Sequence, residues 1–168
     1  MAETLQITDK IVENAIVSSL RNVFWTMLHH MPSLKASGLE AIPSDADMHF
    51  EVIGCVGFAG DVNGIVYLCL TEEFARQSTA QILGMSLAEV DMTAPEVIKD
   101  AVGEVTNMTA GGFKNELCDL GYPCKLGLPT FLRGRSLAVA STKSAARHVF
   151  WFECNGHRLA ADILLKSE

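Results

Sequence analysis

Residues 96–117 read EVIKDAVGEVTNMTAGGFKNEL, and this stretch indicates a long amphipathic helix. On a helical wheel at roughly 100° per residue, its apolar side chains gather on one side, which is the natural core face. The predicted core face consists of Val97, Ile98, Ala101, Val105, Met108 and Gly112. Pro95 suits the first position of a helix because its missing N–H has no partner there in any case. We therefore expect a helix from Pro95 to about Leu120 or Gly121.

A polar arc lies beside that core face. Asp100, Glu104, Asn107 and Gly111 fall within roughly 60° of one another at helical spacing. The helix therefore presents two carboxylates and a carboxamide together. A solvated surface is the usual explanation of such an arc, and a functional site is the more specific one.

Three glycines interrupt the same helix. Gly103, Gly111 and Gly112 lie in its interior, where each costs about 1 kcal/mol relative to alanine. Two explanations remain open: close packing against another helix, or close approach of a partner molecule.

The rest of the chain alternates helices and strands. Apolar residues at helical spacing, caps and glycine-rich turns mark the N-terminal elements, and Asn155-Gly156 is a strong hairpin signal near the C-terminus. The predicted elements before the long helix are a helix at 8–31, a polar loop with Pro43, Ser44, Asp45 and Asp47, strands at 48–58 and 65–70, a helix at 72–83 and a connection at 84–94. The predicted elements after it are strands at 123–131, 136–141, 146–153 and 158–165.

This order predicts one α+β domain over residues 1–168, with long helices packed on one face of a mostly antiparallel sheet. Each half has a long helix that leads into a hairpin. We therefore expect an internal pseudo-two-fold arrangement, although the two halves share no clear pattern of residue identity.

Charge argues against a nucleic-acid partner. The formal net charge is -7, whereas nucleic-acid binding depends on a basic face that contacts phosphates. The Lys and Arg residues are scattered, apart from Arg133 and Arg135. No apolar run approaches the roughly 20 residues that span a bilayer.

The cysteines and the first residues favour a cytoplasmic protein. Five cysteines are present, an odd number without a Cys-x-x-Cys pair, which favours buried free thiols in a reducing compartment. Met1–Thr4 lacks the features of a secretory signal. The adjacent His29 and His30 do not face each other on a helix, so we expect no metal site in this chain.

The helix and the segment after it resemble a family signature. Asp100-x-x-x-Glu104-x-x-Asn107, followed by Met108-Thr109-Ala110-Gly111 and later by Pro129, is similar to the motif of the CheC/CheX/FliY phosphatases of bacterial chemotaxis. The surroundings look most like CheX, including Gly127-Leu128-Pro129-Thr130. Double-site relatives carry a second Glu-x-x-Asn in the first helix. This chain has Glu13 and then Ile16 there, so we expect one site per chain.

The resemblance implies a function and residue roles. Members of the family hydrolyse the phospho-aspartate of a CheY-type receiver domain. Glu104 matches the glutamate that pairs with a receiver lysine, and Asn107 matches the asparagine that orients the attacking water. Asp100 matches a helper position at the interface. Gly111 and Asn115 lie near the same side of the helix and are candidate partner contacts, although Asn115 could equally be a solvated residue.

The resemblance also implies a cofactor and an assembly. Mg²⁺ is expected in the partner receiver domain and no cofactor in this chain. A homodimer is implied too, and the apolar strand residues Phe150, Trp151 and Phe152 are consistent with pairing of sheet edges.

A second class of function remains open. The chain could be a non-catalytic module that keeps the fold and binds a receiver or a flagellar-switch component. Other enzyme classes lack their motifs: the sequence contains no Gly-x-Ser-x-Gly segment and no phosphate-binding loop with its lysine.

Overall fold

Four helices and seven strands make up the described chain, which comprises residues 6–38, 49–93 and 95–166 of a computed structural model. The helices are α1 (Asp9–Leu28), α2 (Glu72–Leu83), α3 (Leu87–Asp91) and α4 (Glu96–Asp119). The strands are β1 (Ser33–Ser37), β2 (Phe50–Gly60), β3 (Gly64–Leu70), β4 (Cys124–Leu126), β5 (Thr130–Leu137), β6 (Ala145–Cys154) and β7 (His157–Lys166). None of these helices is long and apolar enough to cross a membrane.

The strands form one sheet in the order β1-β6-β7-β3-β2. Both β4 and β5 pair with β2 at the far end of that order. Every strand pair among the described residues is antiparallel. The predicted α+β class with a mostly antiparallel sheet is confirmed, whereas the internal two-fold arrangement stays a prediction.

The main core lies between one face of the sheet and the helices. Its largest fully buried side chains come from α1, α4 and the central strands, and include Phe24, Phe113, Phe152, Leu68 and Ile163. A smaller apolar cluster occupies the other face. There Ile53, Cys69, Ala160 and Trp151 form one row across β2, β3, β7 and β6.

Helix α1 begins where the sequence predicts and ends earlier. The Thr8 side chain accepts a hydrogen bond from the Ile11 N–H and caps its first turn. The predicted end at residue 31 is wrong, because His29 adopts the left-handed conformation (φ 56°) after Leu28. This early stop leaves room for β1, a short strand that the sequence did not reveal.

Helix α2 matches its prediction at both ends. Thr71 caps its first turn, and Gly84 ends it with φ 64°. The segment predicted as a plain connection contains α3, which a capping box of Ser86 and Glu89 begins. Helix α4 starts one residue later than expected, since Pro95 is its N-cap.

The strands after α4 differ most from expectation. The predicted strand at 123–131 is two strands, separated at Gly127–Pro129, and the predicted strand at 136–141 is wrong because β5 ends at Leu137. The final hairpin is confirmed, with positive φ at both Asn155 and Gly156. The polar loop predicted around residues 43–47 lies outside the described residues.

Candidate active site

Helix α4 carries the predicted site residues and is fixed to the core by a broad buried stripe. That stripe comprises Ile98, Ala101, Val102, Val105, Thr106, Thr109, Ala110, Phe113 and Leu117. It is broader than the predicted core face, from which Val97, Met108 and Gly112 are only half-buried. Two buried threonines fit because the Thr106 and Thr109 hydroxyls donate to carbonyl oxygens one turn earlier, at 2.7 and 2.8 Å.

A close contact with α1 fixes the second half of α4. The Ser19 hydroxyl of α1 donates to the Thr109 carbonyl oxygen at 2.7 Å. A Cβ atom on Gly112 would lie 2.2 Å from the Ser19 hydroxyl oxygen, so the absence of a side chain permits the crossing. Ile16, which stands where a second-site asparagine would be, is fully buried in α1.

The site proper is a groove between α4 and the start of β5, with a volume of about 330 Å³. The α4 wall contributes Lys99, Asp100, Gly103, Glu104 and Asn107, and the opposite wall contributes Pro129, Thr130 and Phe131. Three of the predicted site residues therefore share one groove with the signature proline.

The three predicted site residues of this groove have unpaired side chains within the described part of the chain. Asp100 and Glu104 are exposed and Asn107 is half-buried. Within the described residues, no hydrogen bond or ion pair engages the side chains of Asp100, Glu104 or Asn107. A carboxamide both donates and accepts hydrogen bonds, so Asn107 keeps its full bonding capacity for a partner or a water molecule.

The β5 wall is anchored on two sides. Thr130 pairs with Cys55 of β2; burial raises the pKa of that thiol, and hydrogen bonds with Thr130 oppose the rise. The Arg133 guanidinium binds both carboxylate oxygens of Glu72 in the first turn of α2. These contacts tie β5, which carries Phe131, to β2 and α2.

A second groove, with a volume of about 660 Å³, runs between α1 and α4. Asn107, Gly111 and Asn115 line it together with Ser18 and Asn22 of α1. Asn107 is common to both grooves and forms the ridge between them. The structure therefore divides the predicted site: Asp100 and Glu104 lie on one side of Asn107, and Gly111 and Asn115 lie on the other.

Three residues of the first groove escaped the sequence prediction, whereas Gly103 was a candidate for close approach of a partner. Lys99 lies two helical turns before Asn107, at the same four-residue interval as Gly103, and this spacing is a signal that could have found it. Thr130 and Phe131 offered no such signal, because their place in the site depends on the pairing of β5 with β2.

Nothing in either groove resembles a metal site. Among the described residues, no three His, Cys, Asp or Glu side chains are grouped closely enough to hold a metal ion. The groove beside Asn107 offers two carboxylates, those of Asp100 and Glu104. Its chemistry is that of a positioned amide next to acidic groups on an open surface.

Comparisons with known proteins match the sequence of this chain to one family. The sequence model described as chemotaxis phosphatase CheX matches residues 52–153, a range that includes both walls of the groove. A curated relative, the CheY-P phosphatase CheX of Thermotoga maritima, is 26% identical over 134 residues, which are 79% of this chain and 82% of that protein.

Solved structures share the fold. Chemotaxis protein CheX from Vibrio vulnificus superposes with a TM-score of 0.79 at 23% identity, covering 92% of this chain and 99% of that chain. A chain of the CheX–CheY–BeF₃–Mg²⁺ complex from Borrelia burgdorferi superposes with a TM-score of 0.73 at 20% identity, covering 93% of this chain and 98% of that chain.

Proposed function

Because the chain belongs to the family of the chemotaxis phosphatase CheX, we propose that it hydrolyses the phospho-aspartate of a CheY-type receiver domain. The carrying observation is the free, half-buried Asn107 carboxamide between two grooves that are open to a macromolecule. The Thermotoga relative is named for this activity. The substrate of this chain would be a whole protein, and an open helix face suits such a substrate better than a closed pocket does.

The reaction needs little more than a positioned water molecule. Water attacks phosphorus, the bond to the aspartyl oxygen breaks, and inorganic phosphate and a free carboxylate leave. This transition state is loose and in line, so catalysis consists mostly of positioning and charge stabilisation. The Asn107 amide can accept from the water and donate to a phosphoryl oxygen, and therefore holds the nucleophile in line.

Glu104 would fix the docking geometry. It is exposed one turn before Asn107 in the same groove, so its carboxylate can form an ion pair with a receiver lysine. Such a pair contributes orientation and specificity more than affinity. Asp100 lies one further turn back and would assist at the interface. The Mg²⁺ ion belongs to the receiver in this proposal and no cofactor to this chain.

Gly111 and Asn115 would contact the same partner across the second groove. Gly111 is half-buried and Asn115 is exposed there. If Asn115 is instead only a solvated residue, its replacement by alanine will leave receiver affinity unchanged.

The test compares dephosphorylation of a phosphorylated receiver domain of the same organism, with Mg²⁺, by wild type and variants. We expect Asn107→Ala to lower kcat by about 100-fold or more, as loss of a positioned transition-state donor does. Glu104→Ala should mainly raise KM. The matched control is Asn14→Ala, which removes an exposed carboxamide from a different helix, α1, and should behave as wild type.

Each outcome of this test decides something. If Asn107→Ala and Glu104→Ala both act at the wild-type rate, the site assignment is wrong. If wild type binds the receiver without accelerating loss of phosphate, the chain is the binding module that the sequence left open.

The proposal includes a homodimer, which would form through a surface other than the one that the sequence suggested. Phe150, Trp151 and Phe152 lie on β6, an interior strand, so they cannot form a sheet-edge contact. Among the described strands, β1 is the last on that side, and beside it Trp25 is 56% and Met31 45% exposed. We expect a dimer in sedimentation experiments and a monomer after Trp25→Lys with Met31→Glu; a monomeric wild type would exclude it.

The cytoplasm is the proposed location. All five cysteines are free thiols, which suits a reducing compartment. A fluorescent fusion that accumulates outside the cytoplasm would overturn this placement.

A further inference from the structure

One rim of the first groove, between α4 and the start of β5, carries an unusually exposed apolar side chain. Leu128 is 89% exposed and directly precedes Pro129, which forms part of the groove wall. Its side chain buries almost no surface within the chain, so it contributes almost nothing to the stability of the fold. An exposed leucine at the edge of a binding groove is therefore available to a partner.

The loop that carries Leu128 is held in place by the sheet. The Gly127 N–H donates to the Gly57 carbonyl oxygen of β2 at 2.7 Å. On the other side, Thr130 is already paired with Cys55 in the sheet. Leu128 is thus presented between two fixed points, which lowers the entropy that a binding partner would have to remove.

The opposite wall carries a positive charge. Lys99 is exposed on α4 and forms no ion pair with any described residue. The other two charged groups of the groove, Asp100 and Glu104, are negative. A receiver domain that holds Mg²⁺ offers carboxylates at that site, because proteins usually bind Mg²⁺ through one or two carboxylates together with phosphate oxygens and water. Lys99 is therefore the groove residue whose charge is complementary to the rim of such a site.

We propose that Lys99 and Leu128, on opposite sides of the groove, dock the receiver: Lys99 contacts an acidic surface of the receiver and Leu128 contacts an apolar one. This inference rests on the proposed phosphatase function and deepens it. Both residues act on binding only. Lys99 lies eight residues before Asn107 on α4, about 12 Å along the helix axis, and so its ammonium group does not contact the reacting phosphoryl group.

The test measures kcat and KM separately, with the phosphorylated receiver domain and Mg²⁺ as the substrate and the whole chain as the enzyme. Leu128→Ser should raise KM about tenfold at every salt concentration, since its contact is apolar. Lys99→Ala should raise KM several-fold in low salt, and the increase should shrink with added salt because exposed charges are screened. Neither variant should lower kcat. Binding to the beryllofluoride-treated receiver with Mg²⁺ should weaken by the same factors.

Two matched controls exclude general surface effects. Met92 is also 89% exposed and lies outside the groove, so Met92→Ser should leave KM unchanged. Lys166 is exposed at the end of β7 and lines neither groove, and Lys166→Ala should also leave KM unchanged.

The outcomes distinguish this inference from the function on which it rests. If wild type dephosphorylates the receiver and both groove variants keep the wild-type KM, the docking proposal fails alone. A lowered kcat in either variant also overturns it, because it would place that residue in the chemistry. If wild type dephosphorylates no receiver, the proposed function fails first.

Discussion

Thr106 of α4 lies so close to Gly54 of β2 that a Cβ atom on Gly54 would come within 2.1 Å of the Thr106 hydroxyl oxygen. Thr106 is fully buried and directly precedes Asn107. Gly54 also pairs with Phe131, which lines the opposite wall of the groove. One glycine therefore sets the distance of α4 from the sheet at the height of the candidate site.

Gly54→Ala is expected to destabilise the fold by about 1–3 kcal/mol, the usual cost of overpacking a core, and to lower kcat by displacing Asn107. Chemical denaturation and receiver dephosphorylation measure the two effects. Adding Thr106→Ala should restore part of both, because the nearest remaining side-chain atom would lie 3.0 Å away.

Gly57→Ala is the control for that experiment, since its new Cβ would meet only the Gly64 carbonyl oxygen at 3.7 Å. If Gly54→Ala and Gly57→Ala have the same stability and activity, the close contact does not position α4.

The three glycines of α4 have different surroundings, which answers for Gly112 the question that the sequence left open. Gly112 permits the crossing with Ser19, whereas Gly111 has ordinary room, since a Cβ atom there would have its nearest neighbour at 3.7 Å. Gly103 lines the groove, and a Cβ atom added to it would have no described atom within 4 Å outside its own helix turn. Helix packing therefore explains Gly112, whereas partner approach at Gly103 stays a prediction.

Gly103→Ala should consequently stabilise the free protein and weaken its function. Alanine is favoured over glycine inside a helix by about 0.5–1 kcal/mol, and no described atom opposes the added methyl group. The same methyl group would narrow the groove and raise KM for the receiver. Denaturant titration and steady-state kinetics test both effects; a more stable variant with unchanged KM would show that no partner approaches Gly103.

Gly112→Ala serves as the comparison and should lower stability, because its Cβ would meet the Ser19 hydroxyl oxygen at 2.2 Å. Equal stabilisation by both substitutions would contradict the division of roles between the two glycines.

Local signals in the sequence were sufficient for much of the fold. The bounds of α2 follow from the Thr71 cap and Gly84, and the last hairpin follows from Asn155-Gly156. The polar arc of α4 was also readable, because helical periodicity alone brings Asp100, Glu104 and Asn107 together.

Features that depend on distant contacts were not predictable in the same way. The apolar and polar residues of β5 gave no sign that the strand would pair with β2 and form a wall of the site. The burial of Thr106 and Thr109 was missed because a threonine hydroxyl satisfies itself within the helix. The strand β1 depends on its pairing with β6, and its five residues carry no strong pattern of their own.

A buried ion pair on the sheet face away from the helices gives a test of stability without a change in the site. Arg147 and Asp162 are 10% and 3% exposed, and three hydrogen bonds of 2.7–3.2 Å join them. Arg147→Met should cost roughly 3–5 kcal/mol in the free energy of unfolding, because it leaves a buried carboxylate without its partner. Adding Asp162→Leu should recover most of that loss.

The ion pair of Arg147 and Asp162 also leads us to expect that the cost of removing Arg147 depends on pH. Burial raises the pKa of Asp162, and Arg147 opposes the rise. Without Arg147 the carboxyl group of Asp162 binds its proton more readily in the folded protein than in the unfolded chain. The free energy of unfolding therefore falls as pH rises from the pKa of Asp162 in the unfolded chain to its higher pKa in the fold. Denaturation of Arg147→Met should therefore show a larger loss at pH 8 than at pH 5. A loss that is independent of pH would mean that Asp162 does not titrate in the fold.

His148 connects β6 to the start of α1 and gives a second pH dependence of the opposite sign. Its side chain is 12% exposed and its Nδ1 lies 3.0 Å from an Asp9 carboxylate oxygen. Burial lowers the pKa of His148, and the negative charges of Asp9 and Asp162 oppose that shift. The folded protein therefore binds this proton less readily than the unfolded chain, whose histidine titrates near pH 6.5.

The free energy of unfolding should accordingly decrease as pH falls through about 6.5, because the unfolded chain takes up more protons there. His148→Gln should flatten this part of the profile. Asp9→Asn should steepen it, since the charge that favours the imidazolium is lost. Denaturant titrations between pH 5.5 and pH 8 (about one unit either side of the unfolded pKa) measure all three profiles. If His148→Gln keeps the wild-type slope, another group causes the dependence, and the contact between Asp9 and His148 has no part in it.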